Sequence, residues 1–358
     1  MDQDLNRYIL MNEGKGLVPG YPKSMLDLVG KTNIAAVHGA AHKYIRGSLL
    51  SLIGSGAIKD QLFPDIDKFM RSFINNWEDK TIDIQDKTIE MAFYISFRQI
   101  IEVEADSIYK AFKEEFDKVA TGTLSLAIYI PGSNYYQGLQ ARKKAIKILK
   151  QIIADRKASG KTHNDMLAEL VGNEKTRYHL NEEQIFDQVF TILYSGYETV
   201  SITTMMAIKY LHDNPKALQQ LREEHFAIRE RKKPDEPIDW NDYKSMSFTR
   251  AVILETSRLA TVVNGVLRKT TQDVELNGML TQQTYNFIYN IVFEVKDSSF
   301  QKDGKYIFSQ GGSTMIQASI QSLLHSILGD GWIRAWSLTN TASYLELEAG
   351  CVLERNWA

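Results

Sequence analysis

The stretch from Asn181 to Asp213 constrains this chain most, because its pattern fits one long, buried helix. Asn181 followed by Gln184 sets up a reciprocal cap at its start, and apolar residues recur at Ile185, Val189, Ile192, Leu193 and Val200. Its centre reads Leu193-Tyr194-Ser195-Gly196-Tyr197-Glu198-Thr199-Val200-Ser201. A glycine inside a helix costs about 1 kcal/mol against alanine, so Gly196 implies that something lies against the backbone there. Glu198 beside Thr199 sets an acid next to a hydroxyl, a pair able to relay protons. The same residues also suit a packed helix with one exposed carboxylate, and spacing alone does not separate the two.

Composition removes several alternatives. With 358 residues the chain has material for one large domain or two smaller ones. A formal charge of -2 provides no overall basic field for nucleic acid. Cys351 is the only cysteine, which excludes an intrachain disulfide and any multi-cysteine zinc site. No apolar run is long enough to cross a bilayer and no signal peptide begins at Met1, so the chain as written is expected to be soluble or peripheral.

Helical spacing predicts a short helix over 4–12, then a loop carrying Gly14, Gly16, Pro19, Gly20 and Pro22. Further helices are predicted over 41–53, 64–77, 82–103, 140–157, 215–229 and 248–259, with short strands in 262–276. His42 and Arg46 stand four apart, on one face, where two cations could hold an anionic ligand or simply face water. The run Arg142, Lys143, Lys144, Lys147 and Lys150 reads as a wet helix face, with an acidic partner or anionic lipid as the alternative. Glu255 and Arg258, three apart, can pair on one face.

Taken in order, these signals resemble the cytochrome P-450 superfamily of haem-thiolate monooxygenases. Leu5-Asn6-Arg7-Tyr8-Ile9-Leu10-Met11-Asn12-Glu13, Gly16-Leu17-Val18-Pro19-Gly20-Tyr21-Pro22, the Tyr194 to Ser201 string and Thr256-Ser257-Arg258-Leu259-Ala260 are similar to the plant brassinosteroid C-6 oxidases. The likeness is close over about 4–278. It implies a mainly α fold with small β-sheets, the cytochrome P-450 fold in incomplete form, with 1–278 a partial catalytic domain. It further implies haem b as cofactor, a steroid substrate, a monomer fed by an NADPH-dependent flavoprotein reductase, and a place on the cytoplasmic face of the endoplasmic reticulum membrane. Glu198 and Thr199 are then the catalytic relay toward dioxygen and Gly196 makes room for it, with Ser195 where the family more widely has Ala or Gly. His42, Arg46 and Arg268 are the implied propionate partners, and Glu255 with Arg258 a buried structural pair completed by a later arginine. The resemblance implies a membrane anchor and a proline-rich hinge at the start of family members, and this chain is expected to start inside the domain.

The family's thiolate string, Phe-x-x-Gly-x-Arg-x-Cys-x-Gly, does not appear in frame. Reading the third base of each codon with the first two of the next gives a different result. In that frame, 300–307 permits Pro-Lys-Gly-Trp-Lys-Ile-Tyr, 325–331 permits Phe-Asn-Pro-Trp-Arg-Trp, and 344–358 permits Phe-Gly-x-Gly-Gly-Arg-x-Cys-Pro-Gly-Lys-Glu-Leu-Gly. Three family strings therefore fall in one frame and in the family's order. The codons of Gly278 and Met279 can contain an intron donor and that of Lys296 an acceptor, and joining them restores Gly-Phe-Leu-Ile-Pro-Lys-Gly-Trp. The sequence thus predicts a retained intron over about 279–296 followed by an out-of-frame tail to 358, packing poorly. Cys351 overlaps the lost ligand's codon without its surrounding loop and is not expected to bind iron, so no metal ligand is expected in frame. The chain is expected to be inactive and its hold on haem to fail. The alternatives are a haemless helical protein, a sterol-binding remnant, or an all-helical lipid-binding module.

Overall fold

The computed structural model describes residues 5, 8–9, 11–12, 14–53, 56–77, 80–102, 106–163, 165–172, 179–233, 236–260, 262, 265–276, 278–281, 286–290 and 305–307. For 50–65, 106, 265–266 and the strands from 279 onward it describes the backbone only.

The chain opens with β1 (Leu17–Pro19), α1 (Lys23–Val29), α2 (Gly39–Ile53), α3 (Gly56–Asn75) and β2 (Thr81–Asp83). The helical body continues with α4 (Ile84–Ile100), α5 (Asp106–Thr123), α6 (Asn134–Ser159), α7 (Met166–Val171) and α8 (Glu182–Asp213). Then come α9 (Pro215–Arg229), α10 (Trp240–Ser245), α11 (Ser247–Ala260), β3 (Gly265–Thr270), β4 (Val274–Leu276), β5 (Met279–Thr281), β6 (Asn286–Asn290) and β7 (Lys305–Ile307).

Helix α8 is the axis of the body. Its cap forms as the sequence predicts: Gln184 N donates to Asn181 Oδ1 at 2.9 Å and Asn181 N to Gln184 Oε1 at 3.0 Å. Its length is buried on most sides, from Ile185 and Phe186 to Leu211. Helix α4 packs along it, and α5 packs along α6. Between them lies an aromatic core. Phe93 on α4 meets Phe116 on α5 at 4.9 Å between ring centroids, and Phe97 meets Phe112 at 5.2 Å. Phe190 of α8 closes it against Phe116 at 6.4 Å.

Several boundaries differ from the sequence expectation. The segment 82–103 begins as strand β2, because Asp83 accepts from Gln85 N and Asp86 N and so starts α4 only at Ile84. Pro64 does not open a helix; α3 starts at Gly56 and runs through it. The buried face Ile66, Met70 and Ile74 offsets the one backbone bond a proline removes. Helices α1, α5, α7 and α10 are additional to the predicted set. Lys143, Lys144, Lys147 and Lys150 do face water, whereas Arg142 turns inward.

The sheets are small and antiparallel. Strand β3 lies between β1 and β6, with Arg268 opposite Pro19 on one side and Phe287 on the other. β4 pairs with β5, and β2 with β7. Gly20 lies so close to β3 that a Cβ there would stand 2.5 Å from the Arg268 carbonyl carbon. The tail expected to hold few elements contributes β5, β6 and β7, and the rest of 279–358 lies outside the described residues. The expected retained-intron segment 279–296 contains β5 and β6.

Candidate functional site

Tyr197 fixes the rotation of α8 about its own axis. Its ring stands 5.6 Å from that of Phe116 and 6.4 Å from that of Phe93, each edge to face. The next two residues, each turned about 100° further around the helix, are Glu198 and Thr199. Thr199 is buried, at 8% exposure, and its Oγ1 donates to Ser195 O at 2.7 Å. Gly196 is buried within the same turn.

This turn is unusually rich in hydroxyl back-bonds. Ser195 donates to Ile192 O at 3.2 Å, Ser201 to Tyr197 O at 2.6 Å and Glu198 O at 3.0 Å, and Thr203 to Thr199 O at 2.8 Å. Such bonds compete with the helix's own ladder and loosen it locally. With the side-chain-free Gly196 among them, the helix face here can yield to a body lying against it.

Glu198 is open to solvent at one side, yet loss of hydration raises its carboxyl pKa, and a hydrogen bond from Tyr194 pulls it partly back. Glu198 stands one turn after Tyr194 on the helix, while the Thr199 hydroxyl is turned back on Ser195. Tyr194 itself is held by Thr123 at the end of α5, with 3.2 Å between hydroxyl oxygens. Burial, then the neighbouring Glu198 charge, pushes the Tyr194 phenol well above its usual range. Sequence reasoning did not single out Tyr194 and Thr123 as site residues. They lie 71 residues apart, so only the fold joins them.

The cations expected to hold an anionic group lie on two elements. His42 and Arg46 are half-buried on α2, and Arg268 is 8% exposed on β3, its Nη1 donating to Leu267 O at 3.4 Å. Arg46 Nη1 is buried with no hydrogen-bond partner among the described residues. A buried guanidinium nitrogen without an acceptor fits a carboxylate-bearing ligand such as a haem propionate. These cations and the α8 turn thus suit haem, which His42, Arg46 and Arg268 would hold by its propionates. The sulfur donor is another matter: Cys351 lies outside the described residues. Among the described residues no cluster of three or more His, Cys, Asp or Glu side chains is placed to hold a metal ion.

Glu255 and Arg258 form their pair, with Arg258 Nε 2.8 Å from Glu255 Oε2. They do not form it in a buried place. Arg258 is 60% exposed and Glu255 55%, because no described segment lies over this face of α11.

The sequence profile of the family described as Cytochrome P450 matches residues 9–300. "Cytochrome P450 85A1" of Solanum lycopersicum is 60% identical over 280 residues, covering 78% of this chain and 60% of that protein. "Cytochrome P450 85A2" of Arabidopsis thaliana is 54% identical over 336 residues, 93% of this chain and 71% of that one. Both the profile and the second alignment reach past Gly278, so the matched region is longer than the close likeness over 4–278 and takes in β5 and β6. The chain spans 60% of the tomato protein's length. Among solved structures, "Retinoic acid bound cyanobacterial CYP120A1" superposes with a TM-score of 0.72 at 19% identity, over 91% of this chain and 80% of that one. Profile, relatives and fold together show that this chain belongs to the cytochrome P450 family.

Proposed function

We propose that the protein to which this fold belongs is a haem-dependent monooxygenase of steroid hormone biosynthesis, oxidising a brassinosteroid precursor at C-6. The observation that carries the reading is the α8 turn: a buried glycine, an acid of raised pKa and a buried hydroxyl follow one another on a helix whose rotation Tyr197 fixes. Haem, when bound, supplies dioxygen activation and accepts electrons, which a flavoprotein reductase using NADPH delivers to a monomeric enzyme. His42, Arg46 and Arg268 would hold its propionates. Glu198 holds a proton more readily than an ordinary glutamate, and Thr199, the next residue, is the hydroxyl proposed to pass one on once it releases the Ser195 carbonyl. Gly196 leaves room against the helix face.

A membrane surface is the proposed location, on the cytoplasmic face of the endoplasmic reticulum. Among the described residues no helix is long and apolar enough to cross a membrane. Support comes instead from the loop after α5, where Leu124, Leu126, Tyr129 and Ile130 are 76%, 78%, 60% and 58% exposed.

The 358-residue chain itself is proposed to be inactive. Its only cysteine lacks the loop that holds and tunes a thiolate, and the three family strings hidden in a single shifted frame support a retained intron and an out-of-frame tail. The exposed Glu255–Arg258 pair, which no segment covers among the described residues, favours a haemless helical protein for this product. Reduction under carbon monoxide tests both proposals. The expected result is no red-shifted Soret band from this chain and a clear one from the coding sequence with its frame restored. A thiolate-type band from the 358-residue product would overturn the account of the tail. Sequencing transcript and gene would do so as well, if a continuous in-frame exon crossed this region.

A further inference from the structure

We propose that the outer face of α6 docks on an anionic lipid surface, with Lys143, Lys147 and Lys157 meeting the headgroups and the loop before the helix entering the apolar layer. The inference rests on the membrane location proposed above and names the lipid chemistry and the residues that read it.

Charge is spread unevenly along this chain. The whole carries -2, yet 124–161 holds six lysines and two arginines against a single acid, Asp155. Four of those cations are neutralised by carboxylates from other parts of the chain. Arg142 meets Asp187 and Arg156 meets Asp165, each at 2.5 Å, while Lys144 lies 3.3 Å from Glu115 and Lys150 2.8 Å from Glu182. Lys143, Lys147, Lys157 and Lys161 are exposed and form no ion pair among the described residues.

Spacing gathers most of what is left on one side of α6. Positions 136, 140, 143, 147, 150, 154 and 157 follow one another four or three residues apart, so they line a single face of the helix. From Lys143 to Lys157 this row is about 21 Å long. Asp155 lies about 100° away from it and accepts from Gln151 Nε2 at 2.8 Å.

The loop before the helix lies along the same row. The Tyr129 ring stands 5.0 Å from that of Tyr136, edge to face, and its hydroxyl is 3.5 Å from Gln140 Nε2. Ser133 Oγ donates to Ile128 O at 2.9 Å and Gln137 Nε2 to Gly132 O at 2.7 Å, which braces the loop on the start of α6. It is thus held in place while Leu124, Leu126 and Ile130 stay largely exposed. The apolar part and the basic part of the face are contiguous, because Tyr129 rests on the two turns just before Lys143.

That combination selects the occupant. An acidic protein would use the lysines and leave the leucines in water, whereas a bilayer satisfies both, as it does for interfacial helices with a basic side. Lysine stems can lie along apolar surface while their ammonium groups stay at headgroup level. Each cation close to an anionic bilayer strengthens binding about fivefold, a gain that zwitterionic lipid does not give.

Co-sedimentation of the full 358-residue chain with vesicles tests the proposal and needs neither haem nor substrate. One set is phosphatidylcholine alone; in the other, about a third of it is replaced by phosphatidylserine. Tighter binding to the anionic set is expected, with the advantage fading as salt is raised. Lys143→Gln/Lys147→Gln is expected to lose about 10–30-fold in affinity for the anionic vesicles and none for the neutral ones. Leu124→Ser/Leu126→Ser is expected to weaken binding to both. These four side chains are exposed, so unchanged melting temperatures show that the variants fold, and the salt dependence of the native chain decides if they do not. Equal binding of the native chain to both sets, or native binding by the lysine variant, overturns the inference and leaves the membrane location standing. Undiminished binding by the leucine variant overturns the joint contact of loop and lysines. Binding to neither set overturns the inference and the membrane location together. Lysine-dependent retention on polyglutamate without vesicle binding assigns the face to an acidic protein and overturns the lipid reading. Failure of the oxygenase reading would show instead as absent haem uptake by the frame-restored protein, on which the sedimentation does not depend.

Discussion

Arg142 on α6 and Asp187 on α8 form an ion pair whose carboxylate is wholly buried, at 0% exposure against 12% for the arginine. Asp187 also accepts from Thr32 N at 2.9 Å and Thr32 Oγ1 at 2.7 Å. The guanidinium reaches Leu28 O at 3.3 Å and Val29 O at 3.4 Å, and lies 4.7 Å from the centre of the Phe190 ring. The pair therefore ties the end of α1 and the loop after it to the two long helices. Replacing Arg142 by Met leaves a buried charge alone and is expected to cost about 3–5 kcal/mol, read from urea unfolding. Gly30→Ala is expected to be at least as damaging: its φ is +133°, and its Cβ would stand 2.1 Å from the Asp187 carboxyl carbon. A loss below about 1 kcal/mol in both variants would show that the lock does not form.

The raised pKa of Glu198 carries a pH signature. A carboxyl whose folded pKa lies above its unfolded value favours the folded state at low pH, and this contribution is lost as pH rises through the folded value. Glu198→Gln is therefore expected to melt above the native chain at about pH 8, with the gap closing toward about pH 4, near the ordinary glutamate range. Melting curves across that interval check it, and a gap that widened toward acid would contradict the burial argued for this carboxyl.

Arg46 should be a liability to the chain without an anion. Its buried, unpartnered Nη1 predicts that Arg46→Leu stabilises the haem-free protein by about 1 kcal/mol. The same change should reduce any rise in melting temperature that added haemin gives. Calorimetry with and without haemin separates the two effects, and a destabilised apo variant would speak against the assignment.

Glu255→Ala is expected to cost less than about 1 kcal/mol, because both partners face water. Urea unfolding of this variant also reports on the tail. A loss of about 3 kcal/mol or more would mean that the pair is covered in solution.

What the sequence discloses here follows the range of the interaction. The α8 cap is legible because Asn181 and Gln184 are three apart, and so is the Glu255–Arg258 contact, though not its exposure. Helix α5 has Phe112, Phe116 and Val119 at helical spacing, but Lys and Glu fill the positions between without marking where it begins or ends. The inward turn of Arg142 is hidden inside a lysine-rich run, since its partner Asp187 lies 45 residues away. The same holds for Thr32, which is 155 residues from that carboxylate. Apolar rhythm and nearest-neighbour chemistry are written locally; the pairing of distant polar groups is settled only when helices have docked.

Strand β1 is among the first elements of the chain, and its register runs from Leu17 opposite Thr270 to Pro19 opposite Arg268. During synthesis its partner emerges roughly 250 residues later, a delay of about 10–50 s at ordinary ribosomal speed. Through that interval the nascent segment has unsatisfied backbone groups that any passing strand could capture. A chaperone holding the segment around β1 until β3 appears would spare the newborn protein from clumping.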